Sequence, residues 1–269
     1  MNRRKFLKIS TLGAGAAIIG GGAAYIMFKD SDPLKPFYEA TQTVFSARFG
    51  HDFSTALLEE TRQAHESLRS EIPYIGGEEN MFAEWLNYGA YYLAMYQALS
   101  AHGHSVNDVG KLIFETYEVM ADYPKWFLGI VGHFKYSKKY EEKLKRAADA
   151  SQKRKYPGDF VSAFIEGDGE NFDYGLDILE CGICKLYRTQ DAERLSRYMC
   201  LSDYVISNAF NRGLVRYQTI AEGAEKCDFR YKKGRETFVY PLRKGWPPNF
   251  LDDDTKRYSL KPGKPSGQI

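Results

Sequence analysis

The chain has 269 residues, with 37 Lys and Arg against 35 Asp and Glu, for a formal net charge of +2. That near-balance argues against a nucleic-acid partner, and neither a Walker-type nor a dinucleotide-type glycine loop for phosphate is present. Hydrophobic residues at 43% and aromatics at 15% supply a core and the lining of a ligand pocket, in a length that suits one large domain or two small ones.

The first residues read Met-Asn-Arg-Arg-Lys-Phe-Leu-Lys, and an apolar, small-residue run follows from Thr11 to Phe28. A charged stretch feeding a hydrophobic one is the layout of an export signal. Arg3 and Arg4, followed by Phe6-Leu7-Lys8, resemble the twin-arginine signal, an address read on a folded cargo. A Sec-type signal or a simple anchor is the alternative. Residues 1–28 are therefore read as a signal or anchor, with the twin-arginine export machinery as partner. The domain is expected outside the cytoplasm, periplasmic or anchored in the membrane. The run holds Gly13, Gly15, Gly20, Gly21 and Gly22, and as a helix it reaches about 27 Å, just short of a hydrocarbon core. No small-x-small site with a polar flank follows Phe28. Cleavage and tethering through residues 11–28 both stay open.

Residues 29–35 read as a polar linker, and a single α+β domain is expected over 36–233. Its first part, 36–156, reads as helical. Leu57, Leu58, Thr61 and Leu68 fall at helical spacing in 54–70, as do Phe82, Trp85, Leu86, Tyr92, Leu93 and Tyr96 in 80–101. Ser105 or Asn107 can cap the next helix, with Val109, Leu112, Ile113 and Tyr117 on its inner face. Pro124 opens another, carrying Trp126, Phe127, Ile130 and Phe134. The Lys-rich stretch 135–155 reads as a solvated helix face, with a membrane-surface or partner contact as the sharper alternative.

The pattern changes at Pro157, and 157–233 reads as the sheet-containing part. Strands are expected over 159–166 and 172–180 around the turn Gly167-Asp168-Gly169-Glu170. A short helix from Cys181 and a longer one over 192–211 come next. Two more strands, 214–220 and 226–232, flank the turn Glu222-Gly223-Ala224-Glu225. The expectation is one small antiparallel sheet of two hairpins with helices between them, covered by the helical part. Residues 234–269, with Pro241, Pro247, Pro248, Pro262 and Pro265, read as a loosely wrapped tail.

All four cysteines, Cys181, Cys184, Cys200 and Cys227, lie in the second part of the chain. Clustering of this kind suits a site better than a scattered set of staples. In a helix Cys200, Asp203 and Ser207 share a face. In a strand Cys227, Phe229 and Tyr231 point one way, expected inward, and Asp228, Arg230 and Lys232 the other. Cys181 stands at a helix start, where the dipole favours a reactive thiolate.

The runs Glu180-Cys181, Cys200-x-x-Asp203 and Arg216-x-x-Thr219-x-x-x-Gly223-x-x-x-Cys227-Asp228-Phe229 resemble the L-2-amino-thiazoline-4-carboxylic acid hydrolase family, over roughly 160–231. The closing Gly…Cys-x-Phe is similar to that of vinyl-reductase-type ligand-binding domains, which implies an α+β pocket fold. The resemblance implies a small-molecule substrate, a cyclic amidine whose ring is opened by water to N-carbamoyl-cysteine. Such chemistry needs a nucleophile, a proton donor and a cation for the carboxylate. Cys227 or Cys200 suits the first role, with Cys181 a third thiol, and Asp203 or Glu180 suits acid–base work if burial raises its pKa. Arg216 or Arg230 suits the substrate carboxylate, with Thr219 and Asp228 as further binding residues.

No cofactor is expected on this reading. The alternative is a non-catalytic small-molecule or metal-binding protein of the same fold. Cys181-x-x-Cys184 is half of a zinc knuckle that Cys200 and Cys227 could complete, and the same ligands suit an iron–sulfur cluster. Buried core cysteines and disulfides formed after export are further readings. No H-E-x-x-H zinc motif and no G-x-S-x-G elbow occurs, so a serine hydrolase is disfavoured.

Overall fold

The computed structural model describes residues 32, 34–122, 132–239 and 261–262. The described residues fall into two units, divided between Tyr38 and Glu39. Within the first, the amide of Leu34 is held by the Asp32 carboxylate at 2.9 Å, just before helix α1 (Lys35–Phe49) begins. The expected signal, part of the linker, residues 123–131 with the helix expected from Pro124, and most of the tail lie outside the described residues. No helix among the described residues is long and apolar enough to cross a membrane.

The second unit is α+β, and its helices follow their apolar spacing. α2 (His51–Leu68) buries Ser54, Leu57, Leu58, Thr61, His65 and Leu68, a single stripe that lies along α3 (Ala83–Ala101). α3 is buried on nearly every side, from Leu86 to Leu99, and so forms the central rod of the fold. α4 (Val106–Ala121) opens with a capping box. The Ser105 hydroxyl accepts from the Asp108 amide, and the Asp108 carboxylate accepts from the Ser105 amide. α5 (Lys138–Ser151) buries only Leu144, Ala148 and Ser151, leaving the expected charged face outward. It packs on strand β1 (Val161–Glu166), where Ser151 Oγ accepts from the Ser162 amide at 2.9 Å.

β2 (Tyr174–Glu180) pairs antiparallel with β1 on one side and with β4 (Cys227–Tyr231) on the other, and the short β3 (Leu214–Val215) completes the sheet in the order β1-β2-β4-β3. The turn between β1 and β2 is built by Asp168, whose Oδ1 accepts from the amides of Glu170, Asn171 and Phe172. α6 (Gly182–Thr189) and α7 (Ser196–Ala209) separate the hairpins, α6 lying on α3 and α7 on α4. A two-stranded parallel ribbon, β5 (Phe238–Val239) with β6 (Lys261–Pro262), lies in the expected tail, of which 234–239 and 261–262 are described.

The third expected strand is a correction: it stops at Val215 and does not run to Ile220. Asp228 Oδ1 accepts from the amides of Tyr217 at 3.0 Å and Gln218 at 2.9 Å. Those donors are thereby lost to a sheet ladder, and the chain turns into a 3-10 helix over Ile220–Glu222.

Register fixes the two faces of the sheet. Tyr174 stands opposite Tyr231, Leu176 opposite Phe229 and Ile178 opposite Cys227, all on one side. Asp177 faces Asp228 and Gly175 faces Arg230 on the other. There Asp177 is clamped by Lys226 at 2.6 Å and Arg230 at 2.8 Å.

Candidate active site

Segments far apart in sequence meet on the Cys227 face of the sheet. Arg216 is the centre of the cluster, with 1% of its side chain exposed. Its Nη1 donates to Asp203 Oδ2 at 2.6 Å and its Nη2 to the Cys200 carbonyl at 2.6 Å. The guanidinium lies 4.7 Å from the Phe229 ring and 4.8 Å from the Tyr204 ring, so β4 and α7 sandwich it. α7 presents Cys200 and Asp203 three residues apart, on the face that meets Arg216. Asp203 is the open side of the pair, with 40% of its side-chain surface accessible. Burial raises its pKa and Arg216 pulls it back.

Cys227 is 5% exposed, and its Sγ accepts from the Ile220 amide at 3.2 Å. Burial pushes its pKa up to about 11, against the pull of Arg216 and of that amide. The Cys200 thiol is raised by burial too, again opposed by Arg216. Cys184 and Cys227 both lie within Coulombic reach of Cys200. Thr219 is fully buried. Its Oγ1 and the Nε of Arg216 are buried donors without a hydrogen-bond partner among the described residues. Two orphaned polar atoms cost stability unless a ligand or water meets them.

Cys181 and Cys184 stand across the first turn of α6, Cys181 at the N-cap. Cys181 is the residue expected to carry the helix-start thiolate, and the two thiols of this turn are shifted in opposite directions. The neighbouring Cys184 and burial raise the Cys181 pKa. Cys181, the Ser196 hydroxyl and Arg188 lower the Cys184 pKa, against burial. The segment is seated tightly: a Cβ on Gly182 would stand 2.8 Å from the Gly158 carbonyl oxygen, and one on Gly89 would stand 2.9 Å from Ile183.

Other expected site residues are placed elsewhere. The Glu180 carboxylate accepts from Lys185 at 2.6 Å and Arg154 at 3.0 Å, which lowers its pKa where acid–base work asked for a raised one. Lys185 also ties back to the carbonyls of Pro157 and Asp159, so Glu180 is a clamp on the start of α6. Arg230 and Asp228 lie on the opposite face of the sheet from Cys227, Arg230 bound to Asp177 and Asp228 to the amides after Arg216. The four cysteines are free thiols, and among the described residues no three His, Cys, Asp or Glu side chains are arranged to hold a metal ion.

One participant was not read from the sequence as part of the site. Tyr117 of α4 hydrogen-bonds Ser202 and Tyr92 and lies within Coulombic reach of Asp203. Its inward spacing marked it as core, and a buried hydroxyl among polar partners was the missing signal.

Fold and cluster together describe an α+β domain in which the Cys227 thiol, the Asp203 carboxylate and the buried Arg216 guanidinium gather on one face of the sheet. Residues 86–231 match the L-2-amino-thiazoline-4-carboxylic acid hydrolase family, and the chain belongs to it. No curated protein and no solved structure matches the chain.

Proposed function

We propose that the chain is an exported hydrolase that opens a five-membered cyclic amidine, with 2-amino-thiazoline-4-carboxylate as the substrate type. The observation that carries this reading is Asp203: reachable, paired to buried Arg216, with Cys200 and Cys227 in the same electrostatic neighbourhood. Family membership supports hydrolysis as the reaction class.

In the proposed reaction the Cys227 sulfur bonds to the amidine carbon while Asp203 takes the thiol proton. The ring carbon–sulfur bond breaks, and that proton passes to the departing sulfur. Water then bonds to the same carbon and Cys227 leaves with its proton restored. The carbon keeps both nitrogens and gains the oxygen, giving N-carbamoyl-cysteine. Cys200 is the second candidate nucleophile. The unmatched donors of Arg216 and Thr219 support binding of the carboxylate and a ring nitrogen.

The test is incubation of the full chain with the thiazoline acid, reading ring opening by mass spectrometry. Turnover is expected in the wild type, with a loss of about a hundredfold or more in Cys227→Ala and in Asp203→Asn. A wild type that binds the acid and leaves it intact would establish the non-catalytic binding role instead. The paired arginines support the export route, with the domain periplasmic or held through residues 11–28. Replacing Arg3 and Arg4 together by Lys should keep the protein in the cytoplasmic fraction, and unchanged export would remove that part of the reading.

A further inference from the structure

The proposed chemistry uses Cys227, Asp203 and Arg216 and leaves the pair at the start of α6 idle. We infer that Cys181 and Cys184 form a reversible dithiol–disulfide couple that exchanges with an external disulfide, with Cys184 as the attacking sulfur. The couple is independent of the hydrolase reading.

Geometry is the first support. Cys181 is the N-cap of α6, with φ −108° and ψ 116°, and Cys184 is the third helical residue. The two residues thus share the first turn of the helix, and each thiol shifts the pKa of the other. A disulfide needs Cβ atoms roughly 3.5–4.5 Å apart, against about 5–6 Å for two helical residues three apart, and Cys181 stands outside the helix, where its backbone can make that adjustment. The neighbours of the turn are close-packed. Gly182 sits against the Gly158 carbonyl and Phe160, Ile183 sits against Gly89, and the Glu180–Lys185 clamp flanks the turn.

Access and polarity are the second support. Both thiols keep part of their surface accessible, whereas Cys227 is buried. Cys184 is the third residue of α6, near its positive end, and the neighbouring Cys181, Ser196 and Arg188 lower its pKa. Cys181, at the N-cap of the same turn, is placed to resolve the mixed disulfide.

The exchange balances without a further reagent. Cys184 Sγ attacks one sulfur of an external disulfide and expels the first thiolate. Cys181 loses its proton and attacks Cys184 Sγ, which expels the second. Two electrons pass to the external disulfide, which leaves as two thiols once each thiolate takes a proton.

The test equilibrates the full chain in glutathione buffers from reducing to oxidising, then quenches with acid, alkylates and digests. The peptide carrying Cys181 and Cys184 is expected to lose two hydrogens and resist alkylation while Cys200 and Cys227 remain alkylatable. Cys181→Ser should trap one glutathione on Cys184, and Cys184→Ser should trap it on Cys181 about tenfold or more slowly at pH 7. A pair that stays alkylatable in the most oxidising buffer overturns the inference. So does a disulfide that instead joins Cys200 to Cys227, or equal trapping in the two variants. The wild-type titration needs no variant to fold and no turnover of the thiazoline acid.

Discussion

Arg216→Met tests the centre of the site. The substitution keeps an apolar stem between Tyr204 and Phe229 but strips the two hydrogen bonds to Asp203 and the Cys200 carbonyl. Removing one partner of a fully buried ion pair costs about 3–5 kcal/mol. Asp203 is 40% exposed, and solvent screening cuts that contribution to about 2 kcal/mol. The orphaned Cys200 carbonyl adds about 1 kcal/mol. The sum, about 3 kcal/mol, corresponds to a melting point roughly 6–12 °C lower for a domain of this size. The loss should also depend on pH. Burial holds the Asp203 pKa above its unfolded value, and Arg216 opposes that rise. Without Arg216 the folded carboxyl keeps its proton to still higher pH. The folded state then binds more protons than the unfolded one, and stability falls as pH rises from about 4 toward the folded pKa. Urea melts at pH 4 and pH 7 should therefore show the smaller penalty at pH 4. Adding Asp203→Asn should recover about 1–2 kcal/mol, because the unpaired charge is gone. Equal penalties at both pH values, or strict additivity of the two substitutions, would refute the account of this pair.

Four further outcomes are expected. Gly182→Ala places a methyl 2.8 Å from both the Gly158 carbonyl oxygen and a Phe160 ring carbon. It should cost about 1–3 kcal/mol in a chemical melt, and an unchanged midpoint would show that the turn relaxes freely. Asp168 is held down to about pKa 2, first by the Asn171 side chain and then by three backbone amides. Its folded pKa lies below the unfolded one, so its contribution is present above about pH 4 and fades as pH falls through 2; in Asp168→Ala that acid-dependent component should vanish from the pH series. Glu180→Gln should retain kcat within about twofold and lose under about 1 kcal/mol of stability, whereas a hundredfold drop in kcat would return Glu180 to acid–base work. Cys227, with its thiol pushed up to about 11 from 9.0, should react with iodoacetamide at pH 7 about a hundredfold more slowly than the same thiol in urea. Equal rates would show that the burial does not hold.

The sheet was legible because its strands alternate. Tyr174, Leu176 and Ile178 repeat at two-residue spacing, and so do Cys227, Phe229 and Tyr231, which fixed both the faces and the pairing. The helices from α2 to α4 were legible for the corresponding reason at helical spacing. The strand over 214–220 was misread because its apolar residues suit a ladder, while the side chain that diverts it, Asp228, lies ten residues further on. Helix position alone favoured Cys181 as the reactive thiol. Which of the two sulfurs is shifted down depends on Ser196, Arg188 and burial, which no local spacing encodes. Glu180 adjoins Cys181 in sequence, yet its carboxylate turns to Lys185 and Arg154, and only the tertiary placement of Arg154 reveals that.

The run Cys227-Asp228-Phe229 is contiguous in sequence, but the pleat of β4 divides its work between the two faces of the sheet. Cys227 and Phe229 stand on the inner face, the first against the Ile220 amide and the second under the Arg216 guanidinium. Asp228 points the other way and takes the amides of Tyr217 and Gln218. Those two residues lie between Arg216 and Thr219. By holding them off the ladder, Asp228 sets the path of the backbone that delivers the buried guanidinium and the buried threonine hydroxyl. The spacing Arg216-x-x-Thr219 and the distant Cys227-Asp228-Phe229 are therefore one device. One face of a short strand supplies the thiol and the aromatic bed, and the other fixes the loop that brings the cation to them. A substitution at Asp228 acts on the site through that loop and not by contact with a ligand, which is why the motif is specific even though one of its members stands on the far side of the sheet.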